Sequence, residues 1–164
     1  MEIVYRSIGV IHSPFTEIDH TPIQGTFSNA AGTVEVFPEY AEGLRDIGGF
    51  SHLFLIYHFD RTGACTTMLR KPFLDGSKDR GVFAIRHFCR PNPIGLSIVE
   101  LKKVRGNLLE VGGIDILDGT PLLDIKPYIR QFDCRENVRS GWVDEKNPQP
   151  GQGNRYTPER LRES

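Results

Sequence analysis

Short strand-like runs, each closed by a turn, constrain this chain most. Residues 5–12 alternate loosely and stop at Ser13-Pro14. Residues 32–37 alternate cleanly, and 50–59 are rich in aromatic and β-branched side chains before Asp60-Arg61-Thr62-Gly63. Further runs follow at 81–86, 96–104, 108–112, 114–117 and 122–125. Arg105-Gly106-Asn107 reads as a hairpin turn, and Asp118-Gly119-Thr120-Pro121 as another turn. Only 38–47 reads as a helix, with proline at its start, acids in its first turn and Gly48-Gly49 as its stop. Tyr40, Leu44 and Ile47 would bury one face of it. The expected fold class is therefore all-β and mainly antiparallel. A single small β-barrel is favoured over an open sheet, because an antiparallel chain must dispose of its edges. At 164 residues one domain suffices. We expect the barrel domain over 1–136 and an irregular C-terminal extension of it over 137–164, in which 158–162 can form a short helix.

Charge narrows the partners. Twenty Lys and Arg balance 21 Asp and Glu, so nucleic acid can be held only by a local basic patch. Arg70, Lys71, Lys78 and Arg80 in mid-chain, and Arg130, Arg135 and Arg139 later, are the candidates. Phe88, Tyr128 and Trp142 can stack on unpaired bases, or serve only as core and surface aromatics. No GxGxxG lies between a strand and a helix, so a Rossmann-type nucleotide site is not expected. Cys65, Cys89 and Cys134 are odd in number and far apart, which argues against a disulfide framework or a cysteine zinc site. His52 and His58 share a strand face, yet no HxxxH or HExxH occurs, and no metal is expected. No run approaches the ~20 apolar residues of a membrane span. The first residues do not resemble a signal peptide, which points to the cytoplasm.

Two segments carry the chemistry. In 86–97, Pro91 and Pro93 flank Asn92 and cannot extend a ladder, while Gly95 admits a tight backbone path. The segment reads either as a rigid ligand loop bearing Arg86, Arg90 and Asn92, or as a structural turn whose arginines pair with acids. In 115–128, Asp115, Asp118 and Asp124 surround a turn. Asp118 can cap that turn, or the turn backbone can face a purine edge; Asp124 and Lys126 share a strand face and can pair. Together the segments offer groups complementary to a zwitterion or a sulfonium cation.

The strings GVFA to Arg86, RPNPIG at 90–95, DGTP at 118–121 and DIKPY at 124–128, with 8–14 and 50–53, resemble the TsaA-like family over about residues 8–128. That resemblance implies a β-barrel, a homodimer, and S-adenosyl-L-methionine as cofactor. As in TrmO-like members, it implies methylation of N6 of threonylcarbamoyladenosine at position 37, in the tRNA anticodon loop. It also implies that the donor is held by Pro22, Ile23, Gln24, Phe59, Asp60, Arg86, Leu96, Asp118, Gly119, Thr120 and Pro121. A base should help remove the N6 proton, with Asp118, Asp124, Tyr128 and a histidine as candidates. Arg86 or Arg90 can grip the threonyl carboxylate bidentately, and Arg90 is given that role. The alternatives are a non-catalytic S-adenosylmethionine- or nucleotide-binding regulator, an RNA-binding module without cofactor, and a methyltransferase with another small-molecule or nucleoside acceptor.

Overall fold

The computed structural model describes residues 1–63 and 65–146. The helix expected at 158–162 lies outside them, as does the rest of the extension from residue 147. In chain order the strands are β1 (Gly9–His12), β2 (Ala31–Val36), β3 (His52–His58), β4 (Leu69–Arg70), β5 (Arg80–Gly81), β6 (Ile94–Arg105), β7 (Leu108–Gly112) and β8 (Thr120–Pro127). Six of them close a barrel in the order β1-β2-β7-β6-β3-β8, antiparallel throughout, while β4 and β5 form a separate two-stranded ribbon. Closure removes every edge from the main sheet, as the patterning predicts. Alternate residues fill the interior: Ile11, Val34, Leu53, Leu55, Leu109 and Leu122 are fully buried. Gly106, at φ +61°, makes the β6–β7 hairpin turn where Arg105 pairs with Leu108. Among the described residues no helix is long and apolar enough to cross a membrane.

Three elements differ from expectation. Residues 38–47 form 3₁₀ turns (Pro38–Leu44, then Ile47–Gly49), not an α-helix. Gly43 lies in the first, Asp46 breaks the path at φ +67°, and Leu44 and Ile47 are only partly buried against the core. Residues 81–86 are strand only at Gly81, because the Val82 N–H donates to Met68 O and the chain then turns 3₁₀ over Val82–Ala84. Residues 114–117 join no ladder, yet Ile114 and Ile116 are core. Their carbonyls accept from Ser28 Oγ and Ser13 Oγ at 2.5 Å each, so side chains replace a strand partner.

The long connections β1–β2, β3–β6 and β7–β8 all leave the same rim of the barrel. A further correction lies within the β3–β6 connection: Cys65 and Cys89, 24 residues apart, are disulfide-bonded, with Cα atoms at 5.3 Å. Sequence spacing gave no hint of it, since it is the β4–β5 ribbon that folds this one connection back on itself and brings the two cysteines together. Cross-linking a loop of this length should stabilise by about 3 kcal/mol on the chain-entropy account. Cys65→Ser should therefore lower the urea midpoint, and a dithiol reductant should lower it equally in the native chain. A midpoint that moves in neither case would show that the bond contributes nothing.

Candidate functional site

The three rim loops enclose a cleft of about 360 Å³, within the ~300–1,000 Å³ usual for small-ligand sites. Pro22, Ile23 and Gln24 come from the β1–β2 loop, Phe59 and Asp60 from the end of β3, Arg86 and Arg90 from the β3–β6 loop, and Leu96 from β6. Thr120 opens β8 at the same place. Nine sequence-predicted residues thus meet in one cleft. Arg86 Nη1 donates to Gln24 Oε1 at 2.7 Å, which links two of the loops.

Asp118, Gly119 and Pro121 stand behind the wall instead of in it. The Asp118 and Gly119 N–H groups donate to Phe15 O (2.7 Å) and Ile11 O (2.8 Å), and the Asp118 carboxylate accepts from the Ser13 N–H at 3.1 Å. The turn, with Gly119 at φ +77°, is thereby tied to β1, and its N–H groups do not face a purine edge. The turn meets the cleft through Thr120, which lines it, and through Arg61, which also lines it and donates to Asp118 O. Tyr128 packs outside the barrel on Phe54, ring centroids 5.6 Å apart. Asp124 pairs with Lys126 at 2.8 Å, as the strand spacing predicts.

Sequence reasoning missed the cleft floor. Tyr57 projects inward from β3 and lies 5% exposed; its hydroxyl is 3.0 Å from Ser97 Oγ, which donates to Asp115 Oδ1 at 2.6 Å. Ser97 has one proton, so Tyr57 donates to it and Ser97 to the carboxylate. Burial pushes the Asp115 carboxyl up to about 6, opposed by the hydrogen bonds from Ser97 and the Gly25 N–H and by the charge of Arg86. Burial, then Asp115, also raises the Tyr57 phenol, which stays protonated. Asp115 was visible in sequence only as one of three acids near a turn. No local signal marked it as the one facing inward.

His87 is the histidine of the cleft wall. It is stacked on Phe73 at 4.4 Å, and its Nδ1 accepts from the Cys89 N–H at 3.0 Å. Burial first, then Arg70 and Arg90, holds it down to about 4, so it is neutral at pH 7 and a weak base. Arg90 Nη1 donates to Ile85 O (2.8 Å) and His87 O (3.4 Å), which stiffens the loop from inside. Phe88 packs among Phe59, Phe73 and His87. Arg70 donates to Cys89 Sγ, and Arg80 pairs with Asp75 and lies over the Trp142 ring. Arg130, Arg135 and Arg139 remain on the exposed surface.

The sequence matches the tRNA-methyltransferase O N-terminal domain family over residues 10–134. It is 56% identical over 146 residues to a probable S-adenosyl-L-methionine-binding protein of Pyrococcus abyssi, covering 88% of this chain and 78% of that one. It is 41% identical over 134 residues to the tRNA (adenine(37)-N6)-methyltransferase of Escherichia coli, covering 76% of this chain but 57% of that enzyme. The crystal structure of TrmO from Pseudomonas aeruginosa superposes with a TM-score of 0.72 at 35% identity, covering 87% of this chain and 63% of that one. The chain thus spans somewhat under two thirds of these last two proteins. With its six-stranded barrel and the rim cleft falling inside the matched span, this chain belongs to the tRNA-methyltransferase O N-terminal domain family.

Proposed function

We propose that this protein binds S-adenosyl-L-methionine in the rim cleft and methylates N6 of threonylcarbamoyladenosine at position 37 of tRNA. What most supports this reading is that one cleft combines apolar and aromatic walls (Ile23, Phe59, Leu96) with both signs of charge (Asp60 and Asp115; Arg86 and Arg90). That set suits an adenine, a sulfonium and an amino-acid zwitterion in one ligand. The donor supplies a methyl group already activated by its sulfonium. The chain's own task is alignment and removal of a proton. Arg86 and Gln24 fix the two loops that face each other across the opening. Asp115 is assigned the proton that leaves N6 as the N–CH₃ bond forms, the S–CH₃ bond breaks and its electron pair returns to sulfur. Asp118, Asp124 and Tyr128 do not line the cleft, and His87 is too weak a base.

The tRNA is proposed to approach over the exposed Arg130, Arg135 and Arg139, around the short helix α1 (Arg130–Asp133). A homodimer belongs to the same reading. The outward face of β6 presents Ile94, Leu96 and Ile98, opposite Phe54 and Ile56 of β3, as one apolar stripe. A binding-only regulator is the runner-up, since the Pyrococcus abyssi relative is named for binding alone.

The experiment is incubation of the chain with methyl-labelled S-adenosylmethionine and tRNA bearing threonylcarbamoyladenosine, followed by nucleoside mass spectrometry. A gain of one methyl on that nucleoside is the expected result. No gain, with donor binding intact by calorimetry, would favour the regulator or another acceptor. No binding would sink the reading altogether.

A further inference from the structure

A second chamber, about 640 Å³, opens beside the cleft. The two share Ile23, Gln24, Phe73, Phe83, Ile85, Arg86 and His87, so the Arg86–Gln24 hydrogen bond lies at their seam. Only the second chamber is walled by the C-terminal segment, through Ser140, Trp142 and Val143. That segment is fastened down. Trp142 Nε1–H donates to Ala84 O at 2.9 Å, Arg80 lies 4.4 Å from the indole centroid, and Lys146 pairs with Asp75 at 3.1 Å. Hydrogen bonds from Ser77 and Lys146 hold the Asp75 carboxyl below the usual range, so the anchor is ionised at neutral pH. The remaining wall is mostly aromatic and aliphatic, with Phe83 78% exposed and with Thr26 and the neutral His87 ring as its polar members. No Asp, Glu or Lys lines the chamber, and Arg86 is its one charged residue among the described residues.

We propose that this chamber holds the acceptor: a planar nucleobase whose exocyclic nitrogen carries an arm ending in an anion. The inference rests on the methyl-transfer reading above. Aromatic walls take the face of any base by stacking, and an unpaired anticodon loop can present one splayed out. A cationic acceptor finds no carboxylate here to pair with, and burial would penalise its charge. An anionic arm attached at the reacting nitrogen cannot stray far from it. Both therefore fall at the seam, where the cleft opens and Arg86 supplies the counter-charge. Donor and acceptor then meet across the seam from opposite sides, the geometry that in-line transfer needs. The C-terminal segment is, on this account, a wall of the acceptor site contributed by the same chain.

Trp142 is the only tryptophan in the sequence, so the intact protein carries its own reporter. An anticodon stem-loop RNA bearing threonylcarbamoyladenosine should change Trp142 emission; S-adenosylmethionine alone should leave it unchanged. Trp142→Ala should raise the acceptor KM roughly 10- to 100-fold, the loss of one stacking surface. Because Trp142 also anchors its segment, Val143→Trp provides a second variant that fills the chamber and keeps the anchors. It too should raise the acceptor KM, with donor affinity by calorimetry unchanged. Unchanged emission at saturating RNA, or a folded Val143→Trp protein with native KM, would overturn the proposal. Emission that changes without any methyl transfer by the native chain would instead count against the methyltransferase reading and leave the chamber's ligand class standing.

Discussion

Gly95→Ala is expected to destabilise the protein by about 3 kcal/mol, the upper end of what overpacking a core costs. A Cβ built on Gly95 would lie 2.1 Å and 2.3 Å from two ring carbons of Tyr57. Tyr57 and Gly95 are directly paired across β3 and β6, and the tyrosine ring folds over the glycine. The ring cannot swing away, because it is 5% exposed and hydrogen-bonded to Ser97. Melting should fall by roughly 6–12 °C for a chain of this size. Gly43→Ala is the control: nothing lies within 4 Å of its Cβ, so it should be neutral or gain a few tenths of a kcal/mol. The cause can be separated from general disruption by Tyr57→Leu, which removes the ring. In the double variant the loss should be clearly smaller than the sum of the singles. An additive result would mean that something other than the ring excludes the methyl group. The loss of stability should come with a loss of function, since moving Tyr57 also takes the donor from Ser97 and frees Asp115 to turn.

The same glycine shows what could be read from sequence and what could not. Its presence between Pro93 and Leu96 marked the stretch as special, and the expected reason was backbone freedom. In the structure Gly95 sits within β6 without positive φ, and the reason is a cross-strand ring thirty-eight positions away, a partner that no local pattern reveals. Alternation in 32–37, 50–59 and 96–104 sufficed for strands and barrel, because one face of each had to be buried. It failed at 81–86 and 114–117, where apolar residues are core yet the backbone bonds go to loop carbonyls and to Ser13 and Ser28. The residues expected at the donor site largely meet in one cleft. The floor of Tyr57, Ser97 and Asp115 escaped notice, because its members lie on three separate elements and each reads alone as core or turn. The Cys65–Cys89 bond escaped notice because the β4–β5 ribbon folds one long connection back on itself, which the spacing alone does not show.

Asp115→Asn should lower the rate of methyl transfer by roughly 100- to 10,000-fold, the range for loss of a general base. Asparagine has nearly the same shape and still accepts from Ser97 Oγ, so the cleft is retained and donor affinity should change little. In the native chain the rate should rise as pH passes about 6, where Asp115 ionises, and then level off. The variant should be slow and flat over that interval. Ser97→Ala should shift the rising limb to higher pH, because the Ser97 hydrogen bond favours the ionised carboxylate. Stability should move in the opposite sense to activity. The folded carboxyl titrates above its unfolded value, so its contribution to stability is full below about pH 4 and is lost as pH rises through about 6. Asp115→Asn removes that loss. Relative to the native chain the variant should therefore gain stability at neutral pH while losing turnover, which a misfolded protein cannot do. A buried carboxylate kept ionisable at the floor of a ligand cleft is a cost to folding that its use in catalysis would explain. If Asp115→Asn instead weakened donor binding and left the pH profile of the rate intact, the carboxylate would be the partner of the donor's ammonium group, and the proton would leave N6 to water.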